Sequence, residues 1–388
     1  MTTTFERDEQ YLAHAYKRFP IELVSGKGSR AIGSDGTEYI DLGAGIAVNT
    51  FGYADEIYYL AVKKQLDAVQ HLSNLYYSAP AADLAEALVK KSGLKKVFFG
   101  NSGAEANECA IKTARKWGEE LKKGAYKIVT LENSFHGRTV TTLSATGQEV
   151  FHKHFAPFTE GFVYTPANDV EKLLSSIDDT TCAVMVEFVQ GEGGVNLLTE
   201  EFVQAIFDLA AKKNLLVIAD EVQTGNGRTG KYFAYQHFGV LPDLVTTAKG
   251  LGGGLPIGAC LFGEKVADVL GKGDHGSTFG GNPVVAAGAL SIVDRIDDDL
   301  LLEITKKGEY VKEKLAGVKG VLSVDGKGLM LGVALSCDAK KVVSHCLEKG
   351  ALFLTAKSKV RMLPALNISY PLLDRAIEIL TQAIEEEL

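Results

Sequence analysis

The chain has 388 residues, beyond the ~250–300 at which a single hydrophobic core stops growing, so two packed units are expected. A hydrophobic fraction of 46%, with 23% charged residues and 9 prolines, excludes a disordered or fibrous chain, and a formal charge of -8 argues against a basic face for nucleic acid. No apolar run approaches the ~18 residues that span a bilayer, and the cysteines (Cys109, Cys182, Cys260, Cys337, Cys346) show no metal-ligand spacing and an odd count, so a reducing, cytoplasmic location is expected.

In chain order, residues 1–49 contain Gly28-Ser29-Arg30 and then Asp35-Gly36-Thr37-Glu38-Tyr39-Ile40-Asp41, a hairpin pattern turned at Asp-Gly that is expected to pack with the C-terminal part. Residues 50–290 carry short apolar runs that read as buried strands: Lys96-Phe99, Lys127-Leu131, Ala183-Val186, Leu215-Ala219, Leu244-Thr247 and Ala259-Phe262. Helical patterns lie between them, clearest at Ala104-Leu121 and Glu200-Lys213. The alternation predicts an α/β domain with a mostly parallel sheet, whose ligand sites gather where strands end. Residues 291–388 change to a helix-like stretch (Asp297-Leu315), strand-like pieces (Leu329-Leu335, Val360-Leu363) and a final amphipathic helix from Leu372, which read as a smaller α+β domain.

The chemistry-bearing residues sit at the ends of these strands. Leu215-Leu-Val-Ile-Ala ends in Asp220-Glu221, and a charge at the end of a buried strand needs a partner. Leu244-Val-Thr-Thr delivers Lys249 into Gly250-Leu-Gly-Gly-Gly254. A lysine before a glycine run is commonly just solvated, but a lysine at a strand end, with glycines that permit close approach, also suits Schiff-base chemistry. Taken with Asp220, it suggests pyridoxal phosphate, whose ring nitrogen needs a carboxylate to stay protonated. Asn101-Ser102-Gly103-Ala104-Glu105 reads as a capping box opening a helix, so Ser102, Gly103 and Ala104 offer N–H groups to a phosphate, although a plain capped helix has the same pattern. In Ser134-Phe135-His136-Gly137-Arg138-Thr139, Phe135 offers a face for a flat ring and Arg138 a fork for a carboxylate, against the alternative of an ordinary surface loop. Gly225-Asn-Gly227-Arg-Thr-Gly230 matches a dinucleotide fingerprint, but its strand end is already occupied by Asp220, so it reads as a glycine loop shaping the site. His152-x-His154 lacks a third ligand nearby, and no metal site is expected.

These segments resemble the class III aminotransferases, fold type I pyridoxal-phosphate enzymes. The likeness runs from Phe19-Pro20 to Ile368-Ser369 through Asn101-Ser-Gly-Ala-Glu-Ala-Asn107, Phe135-His-Gly-Arg-Thr139, Val189-Gln-Gly-Glu-Gly-Gly194, Asp220-Glu-Val-Gln-Thr-Gly225, Ala248-Lys-Gly-Leu-Gly-Gly-Gly254 and Gly273-Asp-His-Gly-Ser-Thr-Phe-Gly-Gly-Asn-Pro283. The resemblance implies that Lys249 carries the cofactor, Asp220 pairs with its ring nitrogen, Gln223 lies near its ring hydroxyl, Phe135 stacks on it, and Ser102, Gly103 and Ala104 hold its phosphate. It implies a homodimer in which Thr278 reaches the neighbouring subunit's phosphate, with Ser277 beside it as a substrate residue. Arg138 would take the donor's α-carboxylate and Arg361 that of glutamate, with Glu192 pairing with Arg361 while the terminal-amine donor is bound.

On the same resemblance the donor is N2-acetyl-L-ornithine and the acceptor 2-oxoglutarate, giving N-acetyl-L-glutamate 5-semialdehyde and L-glutamate in arginine biosynthesis. Gly45, where ornithine enzymes carry a tyrosine, would leave room for an acyl group. Free ornithine, succinylated donors such as succinylornithine or succinyl-diaminopimelate, 4-aminobutyrate, and an inactive cofactor-binding protein are the alternatives.

Overall fold

The computed structural model describes residues 3–388. Near its start β1 (Leu23–Lys27), β2 (Arg30–Gly33) and β3 (Glu38–Asp41) form an antiparallel run. The turn before β3 falls at Asp35-Gly36, where Gly36 has φ 86°, a conformation that favours glycine.

The large sheet is built from β4 (Lys96–Gly100), β5 (Lys127–Leu131), β6 (Phe162–Thr165) and β7 (Thr181–Val186), followed, beyond a small hairpin of β8 (Val189–Gln190) and β9 (Asn196–Leu197), by β10 (Leu216–Asp220), β11 (Leu244–Thr247) and β12 (Gly258–Phe262). Its order is β4-β12-β11-β10-β7-β5-β6. All neighbours are parallel except β12, which runs antiparallel to both β11 and β4. Helices cover both faces, so β7 and β10 are buried along their whole length and read as unbroken apolar runs. The strand β6 had no counterpart in the sequence reading. It lies at the sheet edge, pairs only with β5, and its four residues are mostly half-exposed or exposed; its apolar run, Phe162-Val163-Tyr164, is only three residues long between Gly161 and Pro166.

The smaller unit contains β13 (Val321–Lys327), β14 (Met330–Leu335), β16 (Leu354–Ala356) and β17 (Lys359–Met362) in the order β13-β14-β17-β16. The strand β15 (Ala351–Leu352) instead joins β3 in parallel, which ties the N-terminal sheet to the C-terminal part. Helices Asp298–Leu315, Ala339–Glu348 and Tyr370–Glu385 pack here. One core covers one face of the large sheet and includes Ile292 and Ile296, another with Ile111 and Trp117 covers the opposite face, and a further core joins Ile40 and Leu42 to residues from Ile304 to Ile384. No helix among the described residues is long and apolar enough to cross a membrane.

Candidate active site

The carboxyl ends of the parallel strands open into a cavity of about 470 Å³. β10 ends at Asp220, which registers with Thr246 of β11, and Lys249 follows three residues after Thr246. Both side chains therefore reach the same rim, as neighbouring parallel strands require.

Asp220 is almost wholly buried and accepts from three donors: His136 Nδ1 at 2.7 Å, Asn107 Nδ2 at 2.8 Å and the Val222 N–H at 3.0 Å. Thr246 Oγ1 donates to Asn107 Oδ1 at 2.6 Å and orients that amide. Burial alone would lower the His136 pKa, but the adjoining Asp220 carboxylate outweighs it and raises it. Sequence reasoning gave no role to Asn107 or His136, because neither is near Asp220 in the chain. It also missed Glu187, which follows β7 beside Asp220, lines the cavity and accepts the Phe135 N–H at 3.0 Å. Burial pushes the Glu187 carboxyl up to about 8. An apolar strand ending in an acid, the same signal that singled out Asp220, was available for it.

Lys249 lines the cavity in the left-handed region, at φ 47°, a conformation costly for a residue with a side chain. Burial is the main cause that lowers its pKa, partly opposed by Glu192. Such a shift favours the neutral amine a nucleophile needs.

Opposite these groups β4 gives way to a tight turn and the helix Gly103–Leu121. Ser102 Oγ accepts the Glu105 N–H at 3.2 Å, but the second half of the expected capping box is displaced: the Glu105 carboxylate takes the N–H of Asn101 instead of that of Ser102. Asn101 Nδ2 completes the loop to Glu105 Oε1 at 3.2 Å. Two glycines permit the approach of neighbouring segments, since a Cβ on Gly103 would lie 2.6 Å from Val222 Cγ1 and one on Gly258 2.0 Å from the Ser102 carbonyl oxygen. The result is a row of free N–H groups at a helix N-terminus facing the cavity.

Phe135 forms one wall, and the exposed Arg138 guanidinium sits 5.1 Å from its ring centroid and 4.0 Å from that of Phe151. Gln223 also lines the cavity and leads to a second guanidinium: Arg361 Nη1 donates to Glu192 Oε1 at 2.5 Å, to Gln223 Oε1 at 3.1 Å and to the Gly191 carbonyl at 3.3 Å. Gln223 Nε2 donates to the same Glu192 oxygen at 3.1 Å. Burial would raise the Glu192 pKa, but Arg361 overcomes this and lowers it. Arg361 is buried, and its Nε has no partner among the described residues.

Other expected residues lie apart from this cavity. Ser277 Oγ accepts from Asn101 Nδ2 at 3.1 Å and from the Gly280 N–H at 3.0 Å, and Thr278 stands exposed beside it. Gly45 belongs to a left-handed turn, Ala44–Ala47, and lines a second cavity with Tyr53 and Phe353, whereas Val48 just beyond it borders the Lys249 cavity. His152 Nε2 bonds to the Leu143 carbonyl at 2.9 Å. No group of three or more potential metal ligands occurs among the described residues.

A partly buried lysine at a strand end, an anion cradle, a flat aromatic wall and a hydrogen-bonded carboxylate fit pyridoxal phosphate, and the two glycines keep the cradle open where any Cβ would intrude. Fold and site together define a pyridoxal-phosphate-dependent transferase.

Comparison with known proteins narrows this class. The aminotransferase class-III family model matches residues 11–384. The acetylornithine aminotransferase of Haemophilus ducreyi is 48% identical over 384 residues, covering 98% of each chain. Among solved structures, the N-acetylornithine aminotransferase of Stenotrophomonas maltophilia matches with a TM-score of 0.85 and 36% identity over 97% of this chain and 98% of that one. The ornithine aminotransferase of Toxoplasma gondii, whose active site holds pyridoxal phosphate at partial occupancy, matches with a TM-score of 0.93 and 31% identity over 98% of this chain and 94% of that one. The chain belongs to the class III aminotransferases and is an enzyme with transaminase activity that uses pyridoxal phosphate.

Proposed function

We propose that the enzyme moves the terminal amino group of N2-acetyl-L-ornithine to 2-oxoglutarate, giving N-acetyl-L-glutamate 5-semialdehyde and L-glutamate, a step of arginine biosynthesis in the cytoplasm. The observation that carries a two-substrate reading is the contrast between its guanidinium groups: Arg138 is exposed between two rings, while Arg361 is buried and masked by Glu192 at 2.5 Å. A site that must take one substrate with a carboxylate at a given place and another without it needs such a movable mask, because an unpaired buried guanidinium would penalise the second. The acetylated donor is supported by the names of the relatives, the H. ducreyi protein among them.

In this reading Lys249 tethers the cofactor, and its freed amine moves the proton at the amine-bearing carbon. Bound pyridoxal phosphate supplies the electron sink for the carbanion formed there. Asp220, held by Asn107 and His136, would pair with the ring nitrogen, Gln223 would lie near the ring hydroxyl and Phe135 would stack on the ring, while Ser102, Gly103 and Ala104 would give N–H groups to the phosphate. Arg138 takes the donor's carboxylate, Glu192 swings aside for glutamate, and Arg361 then takes its α-carboxylate.

A homodimer completes the site, with Thr278 reaching the phosphate of the second copy and Ser277 beside the substrate. Leu75, Tyr76, Tyr77 and Phe279 are exposed, and Asn74 ties their two segments together by donating to the carbonyls of Ser277 and Gly280 at 3.0 Å, which supports an apolar surface there for a partner copy. The proposed division, an N-terminal segment packed with a small C-terminal domain beside a large domain, is supported by the core that joins Ile40 and Leu42 to residues 304–384 and by the β3–β15 pairing, with the large domain extending a few residues past 290, where Ile292, Val293 and Ile296 pack against its sheet. Half-reaction kinetics with N-acetylornithine, N-succinylornithine, succinyl-diaminopimelate and ornithine test the donor. A preference for N-acetylornithine of about tenfold or more supports the assignment. Faster reaction of free ornithine would favour the ornithine reading that the T. gondii structure represents.

A further inference from the structure

We infer that Arg228, in the glycine loop Gly225–Gly230, is a positioning residue for the acceptor site: it clamps the strand that carries Arg361 and so sets affinity for the dicarboxylate substrate. The inference rests on the reading of Arg361 as the carboxylate anchor given above.

Arg228 is buried, and its guanidinium makes no ion pair among the described residues. One nitrogen, Nη1, donates to two carbonyls, those of Leu329 at 3.1 Å and Pro364 at 2.5 Å. Leu329 immediately precedes β14, and Pro364 lies two residues beyond β17. These strands are antiparallel neighbours in which Gly332 pairs with Arg361, so the clamp grips both at one end. The Arg228 carbonyl returns the contact by accepting the Leu329 N–H at 3.0 Å. The backbones touch so closely that a Cβ on Gly328 would lie 2.8 Å from that carbonyl oxygen.

The same stretch of chain reaches Arg361 at its other end, through Gln223. Residues 223–228 thus hold the Arg361 guanidinium at one point and its strand at another, while the stretch itself starts beside Asp220. That fixes the distance between the cofactor carboxylate and the carboxylate anchor. Burying a cation against carbonyl dipoles alone is costly, and burial pushes the Arg228 pKa down to about 9. An apolar side chain would fill the space at lower cost, but it could not grip two carbonyls in fixed directions.

The test uses Arg228→Gln and Arg228→Lys holoenzymes, with Arg361→Ala as reference, measuring the amino-donor and 2-oxoglutarate half-reactions separately. For Arg228→Gln the KM for 2-oxoglutarate should rise about tenfold or more, with kcat and the donor half-reaction changed less than about threefold, and Arg228→Lys should recover most of the loss. Equal impairment of both half-reactions, an unchanged 2-oxoglutarate KM, or failure of both Arg228 variants to fold with cofactor would overturn the inference, since each assigns Arg228 to the fold alone. If Arg361→Ala itself leaves that KM unchanged, the reading of Arg361 falls first.

Discussion

Gly258→Ala probes the phosphate cradle without touching any group that does chemistry. Gly258 opens β12 opposite Gly100, and a Cβ there would lie 2.0 Å from the Ser102 carbonyl oxygen, 2.6 Å from its carbon and 3.2 Å from its nitrogen. Backbone lies on both sides of the clash, so no flexible side chain can yield; the Ser102 turn must shift by roughly 1 Å, at an overpacking cost of about 1–3 kcal/mol. The shift moves the N–H groups of Ser102, Gly103 and Ala104, and charge-assisted bonds of this kind contribute about 1.5–3 kcal/mol each. Misaligning one or two of them should weaken pyridoxal phosphate binding about 10–100-fold, at about 1.4 kcal/mol per tenfold. Titration of apoprotein with the cofactor gives the Kd, and thermal unfolding of the same samples shows how far the fold is disturbed. A variant that binds the cofactor as tightly as the parent would refute the placement of the phosphate at this turn.

Lys249→Ala should lose the absorption band of the covalently held cofactor and at least about 10²–10⁴-fold in transamination rate, while a spectrum and rate like the parent's would remove Lys249 from the chemistry. Glu192→Gln keeps an acceptor for Arg361 but removes its charge, a loss of about 1–1.5 kcal/mol of masking, so glutamate should bind about tenfold tighter; unchanged or weaker glutamate binding in half-reaction kinetics would contradict the masking role. Glu187 offers a pH test. With its folded pKa at about 8 against about 4.3 for a free glutamate, the native apoprotein holds a proton that the unfolded chain releases, so its contribution is complete below about pH 4 and is lost as pH rises toward 8. Glu187→Gln should therefore raise the apoprotein Tm by a few degrees at pH 8 and change it little near pH 4.5, whereas a pH-independent difference would count against a buried neutral carboxyl.

Much of the frame was legible in the chain because local patterns decide it. Apolar runs marked β5, β7, β10 and β11, since strands covered on both faces have little polar side, and the helix Glu200–Lys213 showed its period. The edge strand β6 escaped because its apolar run, Phe162-Val163-Tyr164, is short and bounded by Gly161 and Pro166. The Glu105 carboxylate could be placed at a helix start but not on the Asn101 N–H, because one residue of difference is settled by the turn that β12 presses from behind. By itself the sequence determined which residues stand at strand ends with charges to satisfy, Asp220 and Lys249 above all, because buried strands and glycine turns are local properties. Only the tertiary structure decided which groups satisfy those charges. Asn107, His136 and Glu187 meet around Asp220 within the large sheet and its helices, and Glu192, Gln223 and Arg228 meet around Arg361 and its strand where the smaller unit packs against it, through contacts between segments tens to more than a hundred residues apart that only the folded packing brings together.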